Sequence, residues 1–268
     1  MQFVKMVGTG NDFIMVDNRD ESFPAEDKDF IAYICQRRYG IGSDGVILLE
    51  NSQKADFRMR IINPDGGEVE MCGNGSRCAV LMAKDLGFFQ GDNVSFETIA
   101  GKRQADIKNE LIRLNMGKAR DIKKDLLLEL AGEKRTVHFI NTGVPHVVMF
   151  VEDVTKADVS AWGKAIRYHE LFQPKGTNAN FVEVVDKKTI KVRTYERGVE
   201  DETFSCGTGT CASAIMAYLV KGAEKNIKSI TAKEENLFVD FEVDDKGQVR
   251  TFFLSGTADY VYEGTVSY

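Results

Sequence analysis

The chain has 268 residues, 43% hydrophobic and 28% charged, with 17 Phe against 4 Pro, enough for one large domain or two medium ones and too apolar for a disordered chain. Its 35 Lys and Arg against 41 Asp and Glu give a net charge of -6, which offers no electrostatic footprint to nucleic acid or an anionic membrane. Five cysteines are an odd, modest count for a secreted disulfide framework, and no run nears the ~18 apolar residues of a membrane span. The opening Met1-Gln2-Phe3-Val4-Lys5 lacks the regions of a signal peptide, so a soluble, cytoplasmic protein mixing helix and strand is expected.

In chain order, Ala25 to Arg38 has helical spacing with a charged outer face. Val46 to Glu50 and Phe57 to Ile62 are β-branched or alternating runs of strand length. A helix is predicted from about Asn74 to Leu86, stopped by Gly87, with Ala79, Val80, Leu81, Met82, Ala83 and Leu86 spread around its circumference. Apolar periodicity lapses into charge at Lys118-Ala119-Arg120-Asp121. Phe181 to Val185 reads as another strand, and a second all-round apolar helix is predicted from about Thr208 to Lys221, ending at Gly222.

The chain also contains itself twice. Met71-Cys72-Gly73-Asn74-Gly75-Ser76-Arg77-Cys78 returns as Ser205-Cys206-Gly207-Thr208-Gly209-Thr210-Cys211, an offset of 134 (206 minus 72). Thr9-Gly10-Asn11-Asp12-Phe13 matches Thr142-Gly143-Val144-Pro145-His146 at 133, and Gly42 to Val46 matches Gly176 to Asn180 at 134. Leu111 to Gly117 faces Val249 to Gly256 at about 139. The expected fold is therefore α+β, in two pseudosymmetric lobes. Each lobe is a curved, mixed or antiparallel sheet wrapped around a buried central helix, with the active site in the cleft between them. The lobes are placed at 1–117 and 118–258, with a C-terminal strand of about 259–268 returning to the first.

Cys72 and Cys206 each stand just before a buried helix, followed by glycines that let backbone N–H groups approach a ligand. The orphan N–H groups and the helix dipole make an anion site there and favour thiolate over thiol. Two such units around one small ligand suit inversion at a carbon bearing a hydrogen, because one base cannot reach both faces while a thiolate and an opposed thiol can. Two thiols sharing one site could also be joined by oxidation, with loss of activity. Cys35, Cys78 and Cys211 lie within helices and read as ordinary buried cysteines. Three other patterns explain less. Gly207-Thr208-Gly209-Thr210-Cys211-Ala212 fits a loose dinucleotide motif but has no βαβ context. The cysteine pairs are not spaced as zinc knuckles, and a Cys–His hydrolase using His146 would leave one cysteine idle.

These segments resemble diaminopimelate epimerase over essentially the whole chain. The resemblance is carried by Gly8 to Phe13, Asn63-Pro64-Asp65-Gly66, Glu70 to Cys78, Gly176-Thr177-Asn178, Glu196-Arg197-Gly198-Val199 and Thr203 to Thr210. It implies a cofactor-independent epimerase, without metal, that interconverts LL- and meso-diaminopimelate on the lysine and peptidoglycan pathway. By motif position it gives Cys72 and Cys206 the acid–base roles. Gly73, Asn74, Gly207 and Thr208 bind the carboxylate of the reacting centre, while Asn11, Asn63, Asn178, Glu196 and Arg197 recognise the rest of the substrate. Adjacent Glu196 and Arg197 would match the ammonium and carboxylate of the far amino-acid head. The partner is a small amino acid, with no nucleic acid or membrane, and the reading leaves room for a homodimer. Two positions depart from the family pattern: Val144 stands where many members have Asn before Pro-His, and Gly45 where some carry Gln. His146 is expected to shape the site without supplying the acid or base. The rival readings are a proline- or hydroxyproline-racemase-like enzyme and a non-catalytic amino-acid binding protein.

Overall fold

The computed structural model describes residues 1–130 and 132–267. The chain divides into two compact units, Met1–Leu114 with Gly256–Tyr268, and Asn115–Ser255. In the first unit the strands run side by side in the order Asp259–Thr265, Gln2–Gly8, Asn11–Asp17, Gly45–Glu50, Phe57–Ile62, Asn93–Thr98, Gly101–Lys108 and Leu111–Gly117. Neighbours are antiparallel except for two parallel pairs, Asn11–Asp17 with Gly45–Glu50 and Phe57–Ile62 with Asn93–Thr98. The second unit repeats the plan with Arg120–Leu130, Glu133–Asn141, Pro145–Phe150, Asn178–Val184, Thr189–Glu196, Asn226–Ile230, Asn236–Val243 and Val249–Gly256. Its parallel pairs fall at the same two places. Even the register repeats: Phe13 faces Gly45 and His146 faces Asn178, both positions shifted by 133 (146 minus 13, 178 minus 45).

Two helices serve each unit, α1 (Lys28–Cys35) and α2 (Gly73–Asp85) in the first, α3 (Val159–Tyr168) and α4 (Gly207–Lys221) in the second. α2 packs on the strands Gln2–Gly8, Asn11–Asp17, Gly45–Glu50 and Phe57–Ile62; α4 packs on Glu133–Asn141, Pro145–Phe150, Asn178–Val184 and Thr189–Glu196. α4 is buried continuously from Gly209 to Ala217, which is why its sequence is apolar on every side. Left-handed Gly87 and Gly222 follow their ends, as glycine allows at little cost. Leu81 and Leu86, expected in the buried set, are half-buried, and Leu81 lines a surface hollow with Lys84 and Asp85.

The sheets are covered on both faces, not on one. Val147 and Met149 join the core under α3 with Val159 and Ile166, whereas Val148 joins the core under α4 with Cys211 and Ile215. The two-residue period of a strand thereby aims His146, in phase with Val148, toward α4. In the first unit Ile14, Val16 and Val46 likewise pack with Ile31 and Ile34 of α1, leaving Asn11 and Phe13 in the opposite phase. α1 is shorter than the expected Ala25 to Arg38, because Asp27 caps it and Gln36 is extended. The sequence reading did not foresee α3. Its buried residues Val159, Gly163 and Ile166 have helical spacing but make a stripe only one residue wide.

No helix among the described residues is long and apolar enough to cross a membrane.

Candidate active site

Both central helices are entered in the same way. A short strand, Glu68–Val69 or Asp201–Thr203, folds back on Phe57–Ile62 or Thr189–Glu196 and delivers the chain to the helix N-terminus. The cap residue there is Cys72 in α2 and Cys206 in α4, each with extended backbone. α1 and α3 are capped by Asp27 and Asp158, whose carboxylates accept from Phe30 and Ala161 N–H at 2.9 and 3.0 Å. A cap of that kind is worth ~1 kcal/mol. The central helices are capped more weakly: the Cys72 sulfur accepts a long, 3.5 Å hydrogen bond from Gly75 N–H, and Cys206 makes no side-chain cap bond.

Around Cys72 the structure gathers Gly73, Asn74 and Asn11. Asn74 is buried, and its Nδ2 donates to Asn11 Oδ1 at 2.7 Å and to the Thr9 carbonyl at 3.3 Å. Asn11 in turn donates to Asp44 Oδ2 at 2.8 Å. Asn63 lies half-buried in the turn ahead of Glu68–Val69, its N–H donating to Gly67 O at 2.8 Å. Gly45 has little room: a Cβ there would lie 2.9 Å from the Ile62 carbonyl oxygen. Any side chain at that place therefore needs a local shift of backbone here.

Around Cys206 lie Thr208, His146, Asn180, Glu196 and Thr203, with Asn178 two residues before Asn180 on its strand and Arg197 next after Glu196. Thr208 Oγ1 is 3.6 Å from the Cys206 sulfur and 2.9 Å from His146 Nε2, while Thr142 Oγ1 donates to the Thr208 carbonyl at 2.8 Å. Asn180 Nδ2 meets His146 Nδ1 at 3.2 Å, so that nitrogen is the acceptor and Nε2 carries the proton. Asn178 accepts from Arg197 N–H at 2.7 Å and donates to Pro145 O at 3.1 Å; the Arg197 guanidinium donates to Lys175 O at 2.9 Å. Burial pushes the Glu196 carboxyl above its usual range, opposed by hydrogen bonds from Thr203 and Cys206. The sequence reading put Glu196 at the far end of a substrate. In the structure its carboxylate lies against the cap cysteine, because the hairpin pairing Glu196 with Asp201 carries Thr203 and Cys206 back past it.

His146 is fully buried, and burial together with the nearby Arg197 charge pushes its pKa down to about 3. The unfolded chain therefore takes up this proton first as pH falls below about 6.5; the stability the neutral ring contributes is complete above that pH and is lost toward about pH 3. His146→Gln should flatten the acid side of the melting temperature against pH, and an unaltered slope would contradict this account.

Residues 3–122 and 138–261 match the family described as Diaminopimelate epimerase. The chain belongs to the diaminopimelate epimerase family. The Aquifex aeolicus diaminopimelate epimerase is 45% identical, covering 100% of this chain and 98% of that protein. The Flavobacterium psychrophilum one is 40% identical over 99% of this chain and 100% of its own length. Among solved structures, a Bacillus anthracis phenazine biosynthesis protein of the PhzF family superposes with a TM-score of 0.77 at 16% identity, covering 100% of this chain and 99% of its own. A hydroxyproline epimerase from Agrobacterium vitis, with trans-4-hydroxy-L-proline bound, gives 0.65 at 16% identity over 99% and 90%. These two share the fold; the racemase-like alternative is not favoured, since the relatives at 40% and above carry the diaminopimelate epimerase name.

Sequence reasoning did not single out Asp44, Asn180, Thr142, Thr203 or Arg77 as site-forming. Asp44 and Asn180 stood inside a repeated segment, which was the available signal. Arg77 had a plainer one, a charge set among the small and apolar residues from Gly75 to Ala83.

Proposed function

We propose that the chain interconverts LL- and meso-diaminopimelate by moving one proton off, and another onto, the α-carbon, with Cys72 and Cys206 as the two carriers. One sulfur, as thiolate, takes the proton from one face, so that a C–H bond is replaced by S–H. The other, as thiol, gives its proton to the opposite face, and the reverse reaction exchanges their roles. Each sulfur must come within roughly 3–3.5 Å of the carbon. The observation that carries this reading is the repetition of a cysteine at the cap of a buried helix, where a better capping residue would add stability.

The free N–H groups of the first helical turns suit the substrate carboxylate and the negative charge that develops beside it in the transition state. Gly73 and Asn74, with Gly207 and Thr208, supply those turns. Asn11, Asn63 and Asn178 offer donors and acceptors for the zwitterionic groups, Glu196 an anion for an ammonium, and Arg197 a cation for a carboxylate. No step in this scheme calls on a cofactor or metal.

Turnover in heavy water tests the reaction. Solvent deuterium should enter the α-carbon of diaminopimelate as the isomers interconvert, while proline and hydroxyproline should stay unlabelled. Inversion without label, or faster labelling of proline, would overturn the proposal.

A further inference from the structure

Arg77 is the largest side chain with no exposed surface, and it sits one turn into α2, the helix that Cys72 begins. Burying a guanidinium is costly unless its donors are used. Its Nε donates to Thr257 O at 3.0 Å, and its Nη2 donates to Thr9 Oγ1 at 2.6 Å and to Asn74 Oδ1 at 2.9 Å. The last two contacts bear on the site in different ways.

A guanidinium can only donate, so Asn74 must turn its oxygen toward Arg77 and its Nδ2 toward Asn11. Asn11 must then present its oxygen to Asn74 and its Nδ2 to Asp44, a carboxylate that can only accept. Two amides that could each flip are thus held in one sense by an obligatory donor at one end and an obligatory acceptor at the other. The contact with Thr9 fixes the backbone as well. Thr9 and Gly10 form the two-residue turn into Asn11, with φ of 49° and 82°. Such a turn favours Asn-Gly, and a β-branched residue at positive φ is strained. Thr9 brings the hydroxyl that Arg77 grips, and its carbonyl accepts from Asn74.

We infer that Arg77 is the positioning residue for Asn74 and Asn11, setting which atom of each amide faces the substrate. The inference rests on the reading above that these two asparagines touch diaminopimelate. Its cycle of variants is Arg77→Met, Asn11→Ala and the pair together, each assayed for kcat and KM with diaminopimelate.

Arg77→Met is expected to lower kcat/KM at least tenfold, mainly through KM. The double variant should lose clearly less than the product of the two single losses, since removing Asn11 removes part of what Arg77 orients. A merely structural Arg77 would instead lower the amount of folded enzyme, and the two losses would multiply. Multiplied losses, or an unimpaired Arg77→Met beside an impaired Asn11→Ala, would overturn the role of Arg77 alone. An unimpaired Asn11→Ala would overturn the substrate-contact reading and the inference with it. If Arg77→Met does not fold, Arg77→Lys keeps the charge without the fork, and the same cycle is expected to give the same non-additivity.

Discussion

Replacing either cap cysteine by alanine should cut epimerisation by at least ~10⁴-fold, the upper end of what one positioned acid or base contributes. The melting temperature should move little. The cap bond of Cys72 is a long one to sulfur, and Cys206 gives its helix no side-chain cap bond, so little capping energy is lost. The single variants also differ in kind from a dead enzyme. The remaining thiolate could still remove a proton and return it to the same face, so solvent deuterium would enter one isomer without inverting it. Mass spectrometry of each stereoisomer after incubation in heavy water reads both outcomes. Full inversion by Cys72→Ala or Cys206→Ala would sink the two-thiol mechanism.

The second large effect is steric. Gly209 lies in the first turn of α4, where a Cβ would come 2.3 Å from Asn180 Oδ1 and 3.3 Å from the Cys206 sulfur. Asn180 cannot yield freely: it accepts from Thr194 Oγ1 at 3.0 Å and donates to Val147 O at 2.8 Å. Gly209→Ala should therefore cost ~1–3 kcal/mol of stability as an overpacked core does. It should also cost ~10²-fold in kcat, because a displacement of about 1 Å at a reacting group has that effect. A melting curve and a progress curve on the same sample separate the two, and an alanine variant with unaltered turnover would show that the Cys206 sulfur has room to spare.

Repetition made most of the architecture legible. Four segments returning in order announced two related units, and the all-round apolar character after Cys72 and Cys206 announced helices buried against their sheets. What stayed hidden depended on pairing between distant residues. The second helical layer escaped because α3 advertises itself through three positions, one of them Gly163. The nearness of Glu196 to Cys206 stayed hidden because it comes from a hairpin register that no local pattern encodes. Arg77 passed as an ordinary polar member of a motif, since a lone charge in a helix is normally solvated. The turn at Thr9 and the carbonyl of Thr257, 180 residues away, take donors that no local pattern could have assigned.

The outermost strand of each sheet has a consequence for ancestry. In the second unit it is supplied by the start of that unit's own sequence, Arg120–Leu130, but in the first it comes from Asp259–Thr265, at the other extreme of the chain. A gene fragment stopping at Leu114 would leave Gln2–Gly8 with a row of unsatisfied amides, an invitation to aggregate. Circular permutation, opening the chain after Leu114 and linking its two ends, would turn each unit into one uninterrupted stretch. Read in that permuted frame, the halves become alike in strand order from first to last, as descendants of a single shorter ancestor would be.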